Sequence, residues 1–172
     1  MSLFIRIERF HTSHYYKRNQ LKDDDWLNND AHNCEDNFKL FSYEDLIFKA
    51  KCQSISNIPG GKYEDSIAEG PFQIKCFVDK RMFYPRIHGI CNTFDLGFEH
   101  INENSIEPTD SNRWLIHDDQ KLKPNPPGII TRVCWSAGCI VLHKSDLEAL
   151  NQILDAYKIQ PGDKIDAELV EV

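Results

Sequence analysis

The chain has 172 residues, 41% apolar and 27% charged, a balance and a length that suit one globular domain with its own core. Its formal charge of −7 is spread along the sequence, which argues against a nucleic-acid surface, because such a surface needs a basic face to neutralise phosphates. No stretch approaches the roughly 18 consecutive apolar residues of a membrane span. The opening Met1-Ser2-Leu3-Phe4-Ile5-Arg6 has neither the apolar core nor the small-residue cleavage site of a secretory signal, so synthesis in the cytoplasm without a signal peptide is expected.

Residues 3–9 alternate apolar and polar side chains, the pattern of a half-buried strand. Residues 11–38 are polar and acidic and read as a long loop or insertion, held to the domain by Tyr15, Tyr16 and Trp26. A second strand is expected over 45–52, followed by a tight turn at Pro59-Gly60-Gly61. Phe72, Ile74, Cys76 and Val78 recur with a period of two after Gly70-Pro71, which predicts another strand. Shorter strands are expected around 86–90 and 114–117. The Pro-rich run Lys123-Pro124-Asn125-Pro126-Pro127-Gly128 reads as a loop without regular structure.

The one clear helix is predicted over about 146–157. Ser145 and Glu148 form a capping box, and Leu147, Leu150, Ile153, Leu154 and Tyr157 share one face. Pro161-Gly162 ends it, and 164–172 closes the chain as a strand. With no repeat and no break in composition, the expected fold is mainly β: a single domain over 1–172, a β-sandwich or barrel-like body with one helix in its C-terminal half.

Six cysteines (34, 52, 76, 91, 134 and 139) are even in number but include no CxxC pair. The chain exceeds the usual disulfide-stapled scaffold, so most are read as free thiols acting as small buried apolar groups.

The chemistry concentrates in Trp135-Ser136-Ala137-Gly138-Cys139-Ile140-Val141-Leu142. A run of small residues leading into an apolar strand sets a thiol at the mouth of a tight turn. Gly138 admits close approach of a substrate carbonyl, and amides of such a turn can face a developing oxyanion. A nucleophilic cysteine also needs a base to form its thiolate, most often histidine. The alternative at this point is that Cys139 is one more small residue at the start of a strand.

Ser136-x-Gly138-Cys139 with a histidine upstream resembles the signature of the L,D-transpeptidase catalytic domain, the YkuD-like fold. Glu69-Gly70-Pro71-Phe72-Gln73-Ile74 resembles the strand that precedes that family's site. Asp146 to Tyr157 resembles the helix after its cysteine, and Ile159 to Ile165 its terminal strand. The resemblance spans about 57–170 as a catalytic core, leaving 1–56 as N-terminal strands plus a polar loop insertion. Eighteen residues separate His117 from Ser136, slightly more than the family's spacer, and 47 separate His88, which carries the more familiar Ile-His-Gly wording. His117 is the preferred base, and His88 is then a structural or substrate-facing histidine.

The resemblance implies acyl transfer on peptidoglycan stem peptides. Cys139 attacks the carbonyl before a terminal D-residue, His117 takes the thiol proton and returns it to the leaving amine, and Ser136 and Gly138 shape the oxyanion turn. An amine acceptor makes the enzyme an L,D-transpeptidase; water makes it an L,D-carboxypeptidase. Arg132 and Trp135 join His88 as substrate-binding candidates, and no cofactor or metal is called for. The family's leaderless members are of phage or effector type. That implies action in the periplasm or cell wall after export or delivery, and an immunity or delivery protein as partner. Two other readings stand beside it: an inactive relative serving as a cell-wall or protein binding module, and a metal-binding protein using His11, His14, His32 and Cys34.

Overall fold

The computed structural model describes residues 2–10, 32, 34–55, 66, 67, 69–78, 92–96, 115–124, 127–132, 139–160 and 163–172. Its elements in chain order are β1 (Leu3–Arg9), β2 (Asp36–Ser42), β3 (Asp45–Gln53), β4 (Gly70–Val78), β5 (Asn92–Leu96), β6 (Leu115–Asp118), β7 (Gln120–Pro124), β8 (Pro127–Arg132), β9 (Ile140–Leu142), α1 (Lys144–Ala156) and β10 (Lys164–Glu171). Eight strands form a closed barrel in the order β1-β10-β4-β5-β6-β9-β3-β2, and β7 and β8 make a separate two-stranded sheet. The fold is mainly β, as the alternating segments require.

Pairing is mixed. β1 runs parallel to β10 over six residue pairs, from Phe4↔Asp166 to Arg9↔Glu171, and β6 runs parallel to β9. The other barrel neighbours are antiparallel. Strand alternation sorts the side chains. Leu3, Ile5 and Ile7 of β1, Phe38 and Leu40 of β2, Ala50 and Cys52 of β3, and Phe72 and Ile74 of β4 join one core with Ile116, Ile140, Leu142, Ile165, Ala167 and Leu169. Leu147, Leu150 and Leu154 of α1 enter the same core from one helical stripe. Fully burying each such leucine contributes about 1.5–3 kcal/mol. No helix among the described residues is long and apolar enough to cross a membrane.

Three local expectations change. The polar segment expected to run to residue 38 ends earlier, because Asp36–Phe38 are ladder residues of β2. The Pro-rich run is not structureless: Pro124 and Pro127 are register partners at the tip of the β7–β8 hairpin. An edge strand has one row of backbone groups outside the ladder, where a missing amide does no harm. Third, α1 starts earlier than the capping-box reading has it. The cap is His143, whose Nδ1 accepts a 3.1 Å hydrogen bond from the Ser145 amide, so Ser145 lies inside the helix. A histidine lone pair here does what a serine or aspartate oxygen usually does. The turn at Pro59-Gly60-Gly61, the strand over 86–90 and the stop at Pro161-Gly162 lie outside the described residues.

Candidate active site around Cys139 and His117

β6 and β9 decide what Cys139 can meet. Their parallel register pairs Ile116 with Ile140, His117 with Val141 and Asp118 with Leu142. Register partners project from the same face of a sheet, and successive residues project from opposite faces. Ile116, Ile140 and Leu142 point into the barrel core. His117 and Val141 therefore point outward, and the same alternation carried back past Ile140 puts Cys139 on their side. Cys139 and His117 are both partly exposed. The two residue types that sulfur acyl chemistry requires thus come from β6 and from the residue leading into its neighbour β9, two positions from the Val141 that pairs with His117.

The imidazole is oriented. His117 Nδ1 lies 2.7 Å from the carbonyl oxygen of Asp118. A carbonyl only accepts, so Nδ1 carries the hydrogen, and in the neutral ring Nε2 is left with its lone pair. That is the tautomer a general base needs. Asp119 fixes the end of β6: its carboxylate accepts a 3.1 Å hydrogen bond from the Lys144 amide in the first turn of α1.

β3 supplies the other wall. Gln53 pairs with Val141 and is buried, and its Nε2 donates to the Ile55 carbonyl at 2.9 Å. Cys34 packs on Val141, and its thiol donates to Gln53 Oε1 at 3.5 Å. Cys34, Cys52 and Cys139 are free thiols.

The end of the barrel at which β9 begins is closed inside by a polar plug. Arg9, at an inward position of β1, is fully buried. It donates through Nε to Ser54 Oγ at 3.1 Å, through Nη2 to the Ser54 carbonyl at 2.6 Å, and through Nη1 to Glu171 at 3.4 Å. The Ser54 hydroxyl donates to Asp36 Oδ2, and Asp36 Oδ1 accepts the Phe10 amide at 2.8 Å. Burial pulls the Arg9 guanidinium below its usual range, and Asp36 and Glu171 oppose that pull. The plug pins Ser54, the residue after Gln53, and so the strand end that borders Val141. Sequence reasoning missed Arg9, Asp36, Ser54, Gln53 and the packing of Cys34. The one available signal was Arg9 itself, a charge where the β1 alternation calls for an apolar residue.

Of the other expected site residues, Arg132 is the last residue of β8 and pairs with Gln120 by backbone. His88, Trp135, Ser136, Gly138, His11 and His14 lie outside the described residues. His32 and Cys34 part company. His32 stacks on His143 at a centroid distance of 3.8 Å and bonds Asp146 at 3.0 Å, whereas Cys34 sits on Val141. Among the described residues no group of three or more His, Cys, Asp or Glu side chains is placed to hold a metal ion.

Fold and site together define a mainly β closed barrel with His117 on β6 and Cys139 just before the neighbouring β9. No family model matches the chain, and no solved structure matches it. It is 33% identical over 183 aligned positions to an uncharacterized protein of Treponema pallidum (strain Nichols), a match covering 98% of this chain and 80% of that protein. The chain belongs to the family of that Treponema protein.

Proposed function

We propose that this protein is a cysteine-dependent acyltransferase acting on peptidoglycan stem peptides. The carrying observation is the β6–β9 register, which brings His117 onto the face of Cys139 with its Nδ1 hydrogen committed to the Asp118 carbonyl. In this reading Nε2 of His117 takes the thiol proton as Cys139 adds to the carbonyl that precedes a terminal D-residue. The tetrahedral oxyanion is held by backbone amides of the segment that carries Ser136 and Gly138. Collapse expels the D-amino acid, protonated by the same imidazolium, and leaves a thioester on Cys139. An amine from a second stem gives a cross-link, whereas water gives a trimmed stem. The substrate class rests on the likeness of Ser136-Ala137-Gly138-Cys139 and its flanks to the L,D-transpeptidase signature.

The test is mass spectrometry of purified tetrapeptide muropeptides incubated with the protein, with Cys139→Ala and with His117→Gln. The intact protein is expected to release the terminal D-residue or form dimers, Cys139→Ala to do neither, and His117→Gln to be slowed about 10²–10⁴-fold, the usual worth of a general base. Product formation by Cys139→Ala equal to that of the intact protein overturns the reading.

A further inference from the structure

Cys34 lies in the segment expected to be a surface insertion, yet it is buried and packs on Val141, the residue paired with His117 and two positions along β9 from Cys139. Its thiol is directed at the Gln53 amide, and that amide reaches past the last β3–β9 ladder pair toward Ile55. Because β3 and β9 are antiparallel, the direction from Gln53 to Ile55 is the direction from Val141 to Cys139. The Cys34 side chain thus packs against β9 two positions along the chain from Cys139.

We infer that Cys34 is the resolving thiol for Cys139, so that oxidation of the nucleophile ends in a reversible Cys34–Cys139 disulfide. This rests on reading Cys139 as a reactive thiol. With a peroxide as oxidant, the Cys139 thiolate attacks one oxygen, an S–O bond forms, the O–O bond breaks and hydroxide leaves; sulfur is oxidised by two electrons and the peroxide reduced. Cys34 sulfur then attacks Cys139 sulfur. The S–S bond forms, the S–O bond breaks, and the oxygen departs as water with the Cys34 proton. The order of attack follows from exposure: Cys139 is partly open to solvent and meets the oxidant, while Cys34 is covered and waits beside it.

Cys52 is the competing partner for Cys34, since the two thiols are close enough to influence each other. It points into the barrel core, however, and burial pushes its thiol well above the ordinary range. Cys52 is therefore a poor nucleophile on the wrong side of the sheet.

The experiment treats the full-length protein with hydrogen peroxide and maps disulfides by mass spectrometry without reduction, beside Cys34→Ala and Cys34→Ser. The expected product is a Cys34–Cys139 peptide pair lighter by two hydrogens, with muropeptide activity lost and then restored by dithiothreitol. In either Cys34 variant, Cys139 should instead be trapped by dimedone as its sulfenic acid and, with longer exposure, fail to recover. A wild type in which Cys139 becomes sulfinic while Cys34 stays a free thiol overturns the inference, as does a bridge from either residue to another cysteine. Those outcomes leave the nucleophile reading intact. A Cys139 that neither peroxide nor muropeptide touches overturns both.

Discussion

At the residue scale, charge burial separates two arginines of the same strand. Arg6 meets Glu168 at 2.6 Å with side chains 43% and 29% exposed, a setting in which an ion pair is worth at most about 1 kcal/mol. Arg9 is fully buried against Ser54 and Glu171, beside Asp36. Removing one partner of a buried pair strands the other, at a cost of about 3–5 kcal/mol. Arg9→Met is therefore expected to lower the urea midpoint far more than Arg6→Met; equal shifts would mean that the plug carries no charge of its own. The two residues also show what the sequence makes legible. Cys139 stood out as a candidate because its motif sits in five consecutive residues. The partners of Arg9 could not, since Ser54 lies 45 positions away and only the closed ring brings it near.

At the element scale, the strands that were read correctly include β1, β4 and β10, which alternate cleanly, and β3, β6 and β9, which stood out as short apolar runs. β5 carried too few alternating residues to stand out, and β7 and β8 were hidden by their prolines. The helix was found from its leucine stripe, and its start was misjudged because histidine is an uncommon cap. That cap is testable. His143→Ala removes the acceptor of the Ser145 amide and is expected to cost about 0.5–2 kcal/mol, whereas His143→Asn restores an acceptor and most of the loss. Denaturation of the two variants side by side decides it. An alanine variant as stable as the parent would remove His143 from the cap.

At the scale of the whole molecule, cohesion around the ring is uneven. β1, β2, β4 and β10 are joined by ladders of six residue pairs each. β5–β6 and β3–β9 are joined by two pairs each, so β6, which carries the candidate base, and β9, which follows the candidate nucleophile, each have one short ladder. Amide hydrogen exchange should therefore be slowest in β1 and β10 and faster in β6 and β9, because local opening follows the least connected elements. β9 amides outlasting those of β10 would contradict that order. Cys139 and His117 would then sit on rigid wall rather than beside a seam able to part for a bulky substrate.

The place of β10 between β1 and β4 has a consequence for how the chain is made. A ribosome delivers β1 first and β10 last, yet β1 and β4 each need β10 as a neighbour. Until the last strand emerges, the growing chain carries two bare sheet edges and an apolar lining with no lid. That is the state in which β-rich intermediates adhere to one another. The emergence of β10, not that of the segment before β9, is the moment at which this barrel first becomes able to close.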